Sequence, residues 1–344
     1  MLTLILFILI LGAIVLVHEF GHFIFAKWSG TYVYEFSIGM GPKLWGKKGK
    51  ETEYCIRLIP IGGYVVLAGE DRLDTENLPK DRLMYNKSFL QRLLILFFGA
   101  GNNFIFALII LFISALLFGG VSPKAVVGNV MKDYPAYEAG LREGDLLLSI
   151  DGDRVSSWET AMLTIQMNNG KKMDFKIRDK SGNTRDLVIT PKKVTKDGVD
   201  SYKFGFSTSG KREYGFVNSV KYAFQKTGSL FAVMGDTLKY LFTGKVGVND
   251  LSGPVGIYNI VGQQAKQGVE SLLYLVAFLS VNVGVINLIP FPAFDGGRIL
   301  FLIIEKIFKR PIPKGVEEKV NGIGFMLLIL LMIYVTFQDI LRLF

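Results

Sequence analysis

The chain has 344 residues, half of them hydrophobic, with 39 Lys and Arg against 30 Asp and Glu, two His and one Cys. That apolar share and a positive mean hydropathy exceed what a soluble globular chain carries and predict several membrane spans. The single Cys55 excludes an intrachain disulfide, and the net charge of +9 comes without a basic stripe interleaved with aromatics, which argues against nucleic acid as a partner.

A span needs about 20 mostly apolar residues, and the first such run is Leu2 to Phe25. It lacks a basic leader and a small-residue cleavage site, so residues 1–30 are expected as a retained first helix and not a removable signal. Residues 31–92 change character. "TYVYEFSIGM" and "TEYCIRLIPIGGYVVLAG" predict strands of a small sheet close to the membrane, and the charged stretch Glu70 to Lys87 predicts a loop. A second span fills 93–120, with its apolar run at Leu93 to Phe118.

Between 121 and 210 the hydropathy drops, and β runs recur at regular spacing in "AVVGNVM", "DLLLSIDG", "MDFKIRD" and "DLVITP". They predict an inserted soluble domain of about 90 residues. In 211–268, apolar residues from Tyr214 to Phe242 recur at helical spacing with Lys221, Lys226 and Lys239 among them. Two outcomes fit: an amphipathic helix on the membrane surface, or a helix packed on the soluble domain. A third segment at 269–310 is interrupted by "NLIPFPAFDGG", and a fourth spans 311–344. The predicted class is an α-helical membrane protein with about four transmembrane helices, a membrane-associated β region and one inserted mixed α/β domain.

Lys and Arg in short loops set topology. They crowd the segment after the first helix (Lys43, Lys47, Lys48, Lys50, Lys80, Arg82, Lys87, Arg92) and the third-to-fourth connection (Arg298, Lys306, Lys309, Arg310, Lys314), while none precedes Lys27. The first two regions are therefore expected in the cytoplasm. Both termini and the inserted domain are expected outside.

Ionisable groups interrupt the first greasy run at "HEFGH", residues 18–22. His18 and His22 are four apart and share a helix face, with Glu19 beside them. This is the spacing of a zinc site in which two imidazoles hold the ion and the glutamate takes a proton from water. Intramembrane ionisable residues are costly unless paired or functional, and ligation removes that cost for the histidines. No other histidine exists, so a third protein ligand must be a carboxylate or Cys55, which lies in the predicted cytoplasmic sheet. Asp295 stands out. It follows Pro290 and Pro292, which break a helix, and precedes Gly296 and Gly297, which permit tight turns. Its alternative is a helix N-cap. Glu305, Asp236, Glu270 and Asp339 are weaker candidates because they lie outside an interrupted apolar segment.

Together, "HEFGH" and "NLIPFPAFDGG" resemble the paired signatures of the site-2 protease family of intramembrane zinc metalloproteases. "SIGMGPKLW" and "IPIGGYV" resemble its membrane-associated β region, "LSGPVGI" resembles the segment before its third span, and "GAGNNFIFA" resembles its second-span motif, with Ala100 where proline is usual. "PAYEAGLREGDLLLSIDGDRVSSW" is similar to the single PDZ domain of bacterial sigma-factor-regulating members. The resemblance implies zinc on His18, His22 and Asp295, Glu19 as general base, and substrate contacts at Asn287 and Asn103. It also implies a multi-pass protein of a bacterial cytoplasmic membrane that cuts single-span membrane proteins among membrane lipids. The extracytoplasmic PDZ domain would then bind a peptide C-terminus or obstruct bulky substrates. Two other classes compete: a catalytically silent PDZ adaptor and a metal transporter.

Overall fold

The computed structural model describes residues 1–70, 78–168, 170–196 and 199–342. In chain order the elements are α1 (Leu2–Trp28), β1 (Val33–Lys48), β2 (Glu53–Leu67), α2 (Phe89–Phe118), β3 (Gly120–Val121), β4 (Val127–Val130), α3 (Pro135–Glu138), β5 (Leu146–Ile150), β6 (Asp153–Arg154), α4 (Trp158–Gln166), β7 (Met173–Arg178), β8 (Thr184–Ile189), β9 (Lys192–Lys196), β10 (Val199–Lys203), β11 (Phe206–Thr208), β12 (Arg212–Glu213), α5 (Phe216–Phe242), α6 (Pro254–Gln267), α7 (Val269–Leu288), α8 (Asp295–Phe308) and α9 (Lys314–Leu341). They form two compact units, residues 1–110 with 249–344, and residues 111–248. Among the described residues, four helices are long and apolar enough to cross a membrane: α1, α2, α7 and α9 from Gly315 onward.

α1 is one continuous, mostly apolar helix that ends where Gly30 takes φ +73° and the Thr31 N–H returns to the Ala26 carbonyl at 2.9 Å, the left-handed stop that glycine allows without a Cβ penalty. α2 starts at Phe89, earlier than the apolar run from Leu93 predicts. Its first turn is closed by a reciprocal cap between Ser88 and Gln91, which extends the helix into polar sequence. Of the predicted loop from Glu70 to Lys87, residues 71–77 lie outside the described residues, as do Leu343 and Phe344 of the predicted fourth segment. The rest of the loop makes two short 3-10 turns, Lys80–Arg82 and Met84–Asn86.

β1 and β2 bend on themselves. Glu35–Ile38 lies between Glu53–Ile56 on one side and Gly63–Val66 on the other, and Lys43–Lys48 pairs with Glu53–Arg57. The bends sit at Gly39, Gly41 and Gly62, all at φ near +85°, where only glycine is unstrained. The resulting sheet runs alongside α1. The Pro60 carbonyl lies 3.1 Å from where a Cβ on Gly12 would stand, and Gly12 is about 24 Å along the helix from Trp28 at 1.5 Å per residue. The sheet tip therefore reaches hydrocarbon depth along a spanning helix.

The third segment is broken as its prolines predict: α7 stops at Leu288 and α8 begins at Asp295. A Cβ on Gly296 would stand 2.2 Å from the Ile289 carbonyl, and one on Gly297 would stand 2.4 Å from that of Phe291. The chain doubles back through a space only glycine can fill. Ile10 and Ile14 of α1 pack with Val261 of α6 and Leu275 of α7 in one buried cluster.

In the second unit, β6, β5, β7 and β8 form a four-stranded antiparallel sheet. Its inward residues Leu147, Ile150, Met173, Phe175, Ile177 and Ile189 share a core with Ala161 of α4. One face of α5 packs on α4. Lys226 pairs with Glu159 of α4, while Lys239 and Lys245 pair with Asp153. Two of the three lysines read from the sequence are thus spent inside this unit. The opposite face leaves Val217, Phe224 and Phe231 exposed.

The hydrogen bonds from Lys239, and then from Lys245 and Tyr240, outweigh partial burial and hold the Asp153 carboxyl below its ordinary value. A depressed carboxylate contributes stability above its unfolded pKa, near 3.9, and that stability is lost as pH falls through the folded value. Asp153→Asn is expected to remove this acid dependence. It should also raise hydrogen exchange in α5 at pH 7 by roughly fivefold or less, a small effect because both lysines are about half exposed and screened.

Candidate active site

α1 sends His18 and His22 out on one face, and the break before α8 delivers Asp295 to that face. His18 Nε2, His22 Nε2 and Asp295 Oδ2 form a near-equilateral triangle with sides of 3.2, 3.2 and 3.3 Å. Zinc held tetrahedrally at about 2.0–2.1 Å has ligand-to-ligand edges of about 3.3 Å. The triangle matches one face of such a site. Asp295 Oδ2 is buried without a hydrogen-bond partner, and two imidazole nitrogens converging on a buried carboxylate oxygen suit a shared cation. The carboxylate is not spent on capping: Phe294 is the N-cap of α8 and makes no side-chain cap bond.

The other ring nitrogens are also occupied. His22 Nδ1 donates to the Ile95 carbonyl at 2.9 Å, which leaves Nε2 as the acceptor that a metal needs. His18 Nδ1 lies 3.5 Å from the amide of Asn103, a fully buried residue of α2. Ser280 of α7 donates to the Asn103 carbonyl at 2.8 Å, and the Asn102 amide donates to the Val17 carbonyl at 2.8 Å. Three helices are thus pinned together behind the histidines.

Close approach of α1 and α2 makes this possible. A Cβ on Gly21 would stand 1.9 Å from the Phe98 carbonyl oxygen. A Cβ on Gly99 would stand 2.3 Å from His22 Nε2 and 3.0 Å from Asp295 Oδ2. Sequence reasoning missed both glycines. The signal for Gly99 was the small-residue stretch "GAGNN", and that for Gly21 was a glycine between the histidines of "HEFGH", since small residues in membrane helices mark places where backbones can touch.

Glu19 is half-buried beside the triangle, and the Val65 backbone N–H reaches its carboxylate. Val65 pairs with Phe36 on its other side, so the outer edge of strand segment Gly63–Leu67 faces the site. Asn287, in the last turn of α7, donates to its own helix at the Val283 carbonyl, 2.9 Å away. It has no described polar contact with the triangle. The remaining acids read from the sequence are placed elsewhere. Glu305 accepts from Arg92 at 2.8 Å and from the Ile312 N–H at 3.1 Å, and Asp339 accepts from the Gly256 N–H at 2.7 Å. Asp236 lies in the second unit, and Glu270 is in the first turn of α7. Cys55 is buried in the sheet beside Glu35 and Glu53. There Glu35 accepts from Arg57 and Tyr64 and Glu53 accepts from Lys43, so that cluster already carries its own cations.

Comparison with known proteins shows the family. A model of peptidase family M50 matches residues 6–331. Among similar chains, "Putative zinc metalloprotease CPE1693" of Clostridium perfringens is 38% identical over 335 residues, covering 97% of each chain. The zinc metalloprotease RasP of Bacillus licheniformis is 34% identical, and the regulator of sigma-W protease RasP of Bacillus subtilis is 33% identical, each over 99% of both chains. A match of that extent takes in His18, His22 and Asp295, and the chain belongs to peptidase family M50, the site-2 protease family, as a membrane-embedded zinc metalloendopeptidase.

Proposed function

We propose that the protein hydrolyses transmembrane segments of single-span membrane proteins inside the bilayer, as in removal of an anti-sigma factor or a signal-peptide remnant. His18, His22 and Asp295 hold zinc in this reading, and Glu19 is the general base. The observation that carries it is the triangle of His18 and His22 on the spanning helix α1 with Asp295 of α8, set against a strand edge that is unpaired among the described residues.

Zinc bound there supplies the Lewis acidity that makes hydroxide available near neutral pH. Glu19 accepts the water's proton and passes it to the leaving amine. A helical substrate has its carbonyls bonded internally, so it must be extended before attack. The edge of Gly63–Leu67 can hold it by strand addition, displacing the contact between the Val65 N–H and Glu19. Asn287 keeps its side-chain carbonyl for a substrate amide, since its nitrogen is bonded to Val283. Asn103, carried over from the resemblance as a substrate contact, is better placed to orient His18, because it is fully buried against that ring.

We read residues 121–210, with their four-stranded sheet and α3 and α4, as the PDZ domain, placed outside by the Lys and Arg distribution and able to receive a trimmed peptide C-terminus. A reporter fused near Gly182 should be extracytoplasmic and one near Lys48 cytoplasmic; opposite labelling overturns this orientation. A silent adaptor has no use for an intact ligand set. A metal transporter needs a second open cluster along a path, and among the described residues the other cluster, Glu35, Glu53 and Cys55, is occupied by Arg57 and Lys43. The deciding measurement is bound zinc together with cleavage of a synthetic single-span peptide by purified protein. Zinc without cleavage would sink the protease reading.

A further inference from the structure

Arg298 follows Asp295 by one turn of α8, so it leaves the helix on the ligand's side. Its guanidinium pairs with Glu70. Glu70 stands just beyond Leu67, the last residue of β2, after a turn in which Gly69 takes φ +81° with Leu83 and Tyr85 packed against it. Ile299 and Leu302, the next residues inward on α8, share a buried cluster with Val65 and Leu67.

The strand segment Gly63–Leu67 is therefore tied at three heights. Near its start, the Pro60 carbonyl meets α1 at Gly12. In its middle, the Val65 N–H meets Glu19. At its exit, Glu70 meets Arg298 on the helix that carries Asp295. The first two ties set the strand against α1. The third, with the packing of Ile299 and Leu302 on Val65 and Leu67 beside it, refers the strand to Asp295, and of these two links to α8 it is the polar, directional one.

An extended substrate added to this edge takes its register from the strand, at about 3.3 Å per residue. A shift of the strand by about 1 Å relative to the metal ligands is enough to spoil attack, and a larger one presents the neighbouring peptide bond. We propose that Arg298 is a positioning residue: its ion pair with Glu70 fixes the height of the substrate-holding strand relative to Asp295, and with it which peptide bond is cut. This rests on the proposed role of the strand edge.

The test uses the purified full chain, a synthetic single-span transmembrane peptide in detergent micelles, product masses to locate the cut, and metal analysis. Wild-type protein should cut one bond. Arg298→Gln and Glu70→Gln should each retain zinc, cut at two or more neighbouring bonds, and lose about tenfold or more in kcat with little change in KM. The double variant should be no worse than either single one, and Arg298→Lys should restore the single cut. Single-bond cutting at the wild-type rate by Arg298→Gln, losses that multiply in the double variant, or zinc loss in Arg298→Gln would each overturn the proposal. A zinc-loaded wild-type protein that leaves the peptide intact overturns the protease reading itself, and the proposal with it.

Discussion

Gly99→Ala is expected to lose zinc and cleavage together, although it adds a single methyl group and touches no ligand chemically. The added Cβ would stand 2.3 Å from His22 Nε2 and 3.0 Å from Asp295 Oδ2, within the volume where the proposed ligands must meet their ion. His22 cannot swing clear without breaking its bond to the Ile95 carbonyl. α2 cannot retreat easily either, because Asn102 and Asn103 fasten it to α1. Activity should drop by at least the 10²- to 10⁴-fold range of a lost catalytic group, with zinc content well below one per chain. Expression and membrane insertion should be near normal, since alanine suits a membrane helix. Full zinc occupancy in Gly99→Ala would mean that α1 and α2 are further apart than described.

Glu19→Gln should separate what Gly99→Ala confounds. Glutamine keeps the size and the hydrogen bond to water but cannot take up a proton, so peptide cleavage should fall by about 10²- to 10⁴-fold while zinc stays bound to His18, His22 and Asp295. The amide can also donate, so the contact with the Val65 N–H should weaken. Near-normal turnover in purified Glu19→Gln would remove Glu19 from the mechanism.

That His18, His22 and Asp295 come together was legible in the sequence because their chemistry is concentrated: both histidines fall within five residues, and Asp295 sits between helix-breaking prolines and paired glycines. Helix-terminus logic also made Asp295 a plausible cap, and the structure discards that by giving the N-cap position to Phe294 without a side-chain bond. What could not be read was anything set by how elements meet. Gly21 and Gly99 look like ordinary small residues until the two helices are placed in contact. β1 and β2 read as simple strands, yet each bends at glycines so that Glu35–Ile38 acquires neighbours on both sides. In α5 the lysines had two readings, and only the placement of Glu159 and Asp153 shows that Lys226 and Lys239 serve the second unit from within.

The sheet tip beside Gly12 also bears on where the water for hydrolysis comes from. Unpaired backbone amides and carbonyls cost several kcal/mol each in hydrocarbon, so a strand edge at that depth is tolerated only where something polar meets it. Before a substrate arrives, solvent is the available partner. On the proposed reading, the edge that recruits an extended peptide is therefore also one that calls for water close to Glu19, inside a lipid environment that would otherwise exclude the second reactant. Strand addition by a peptide would then replace that water along the edge, so that hydration and substrate capture are two states of the same backbone.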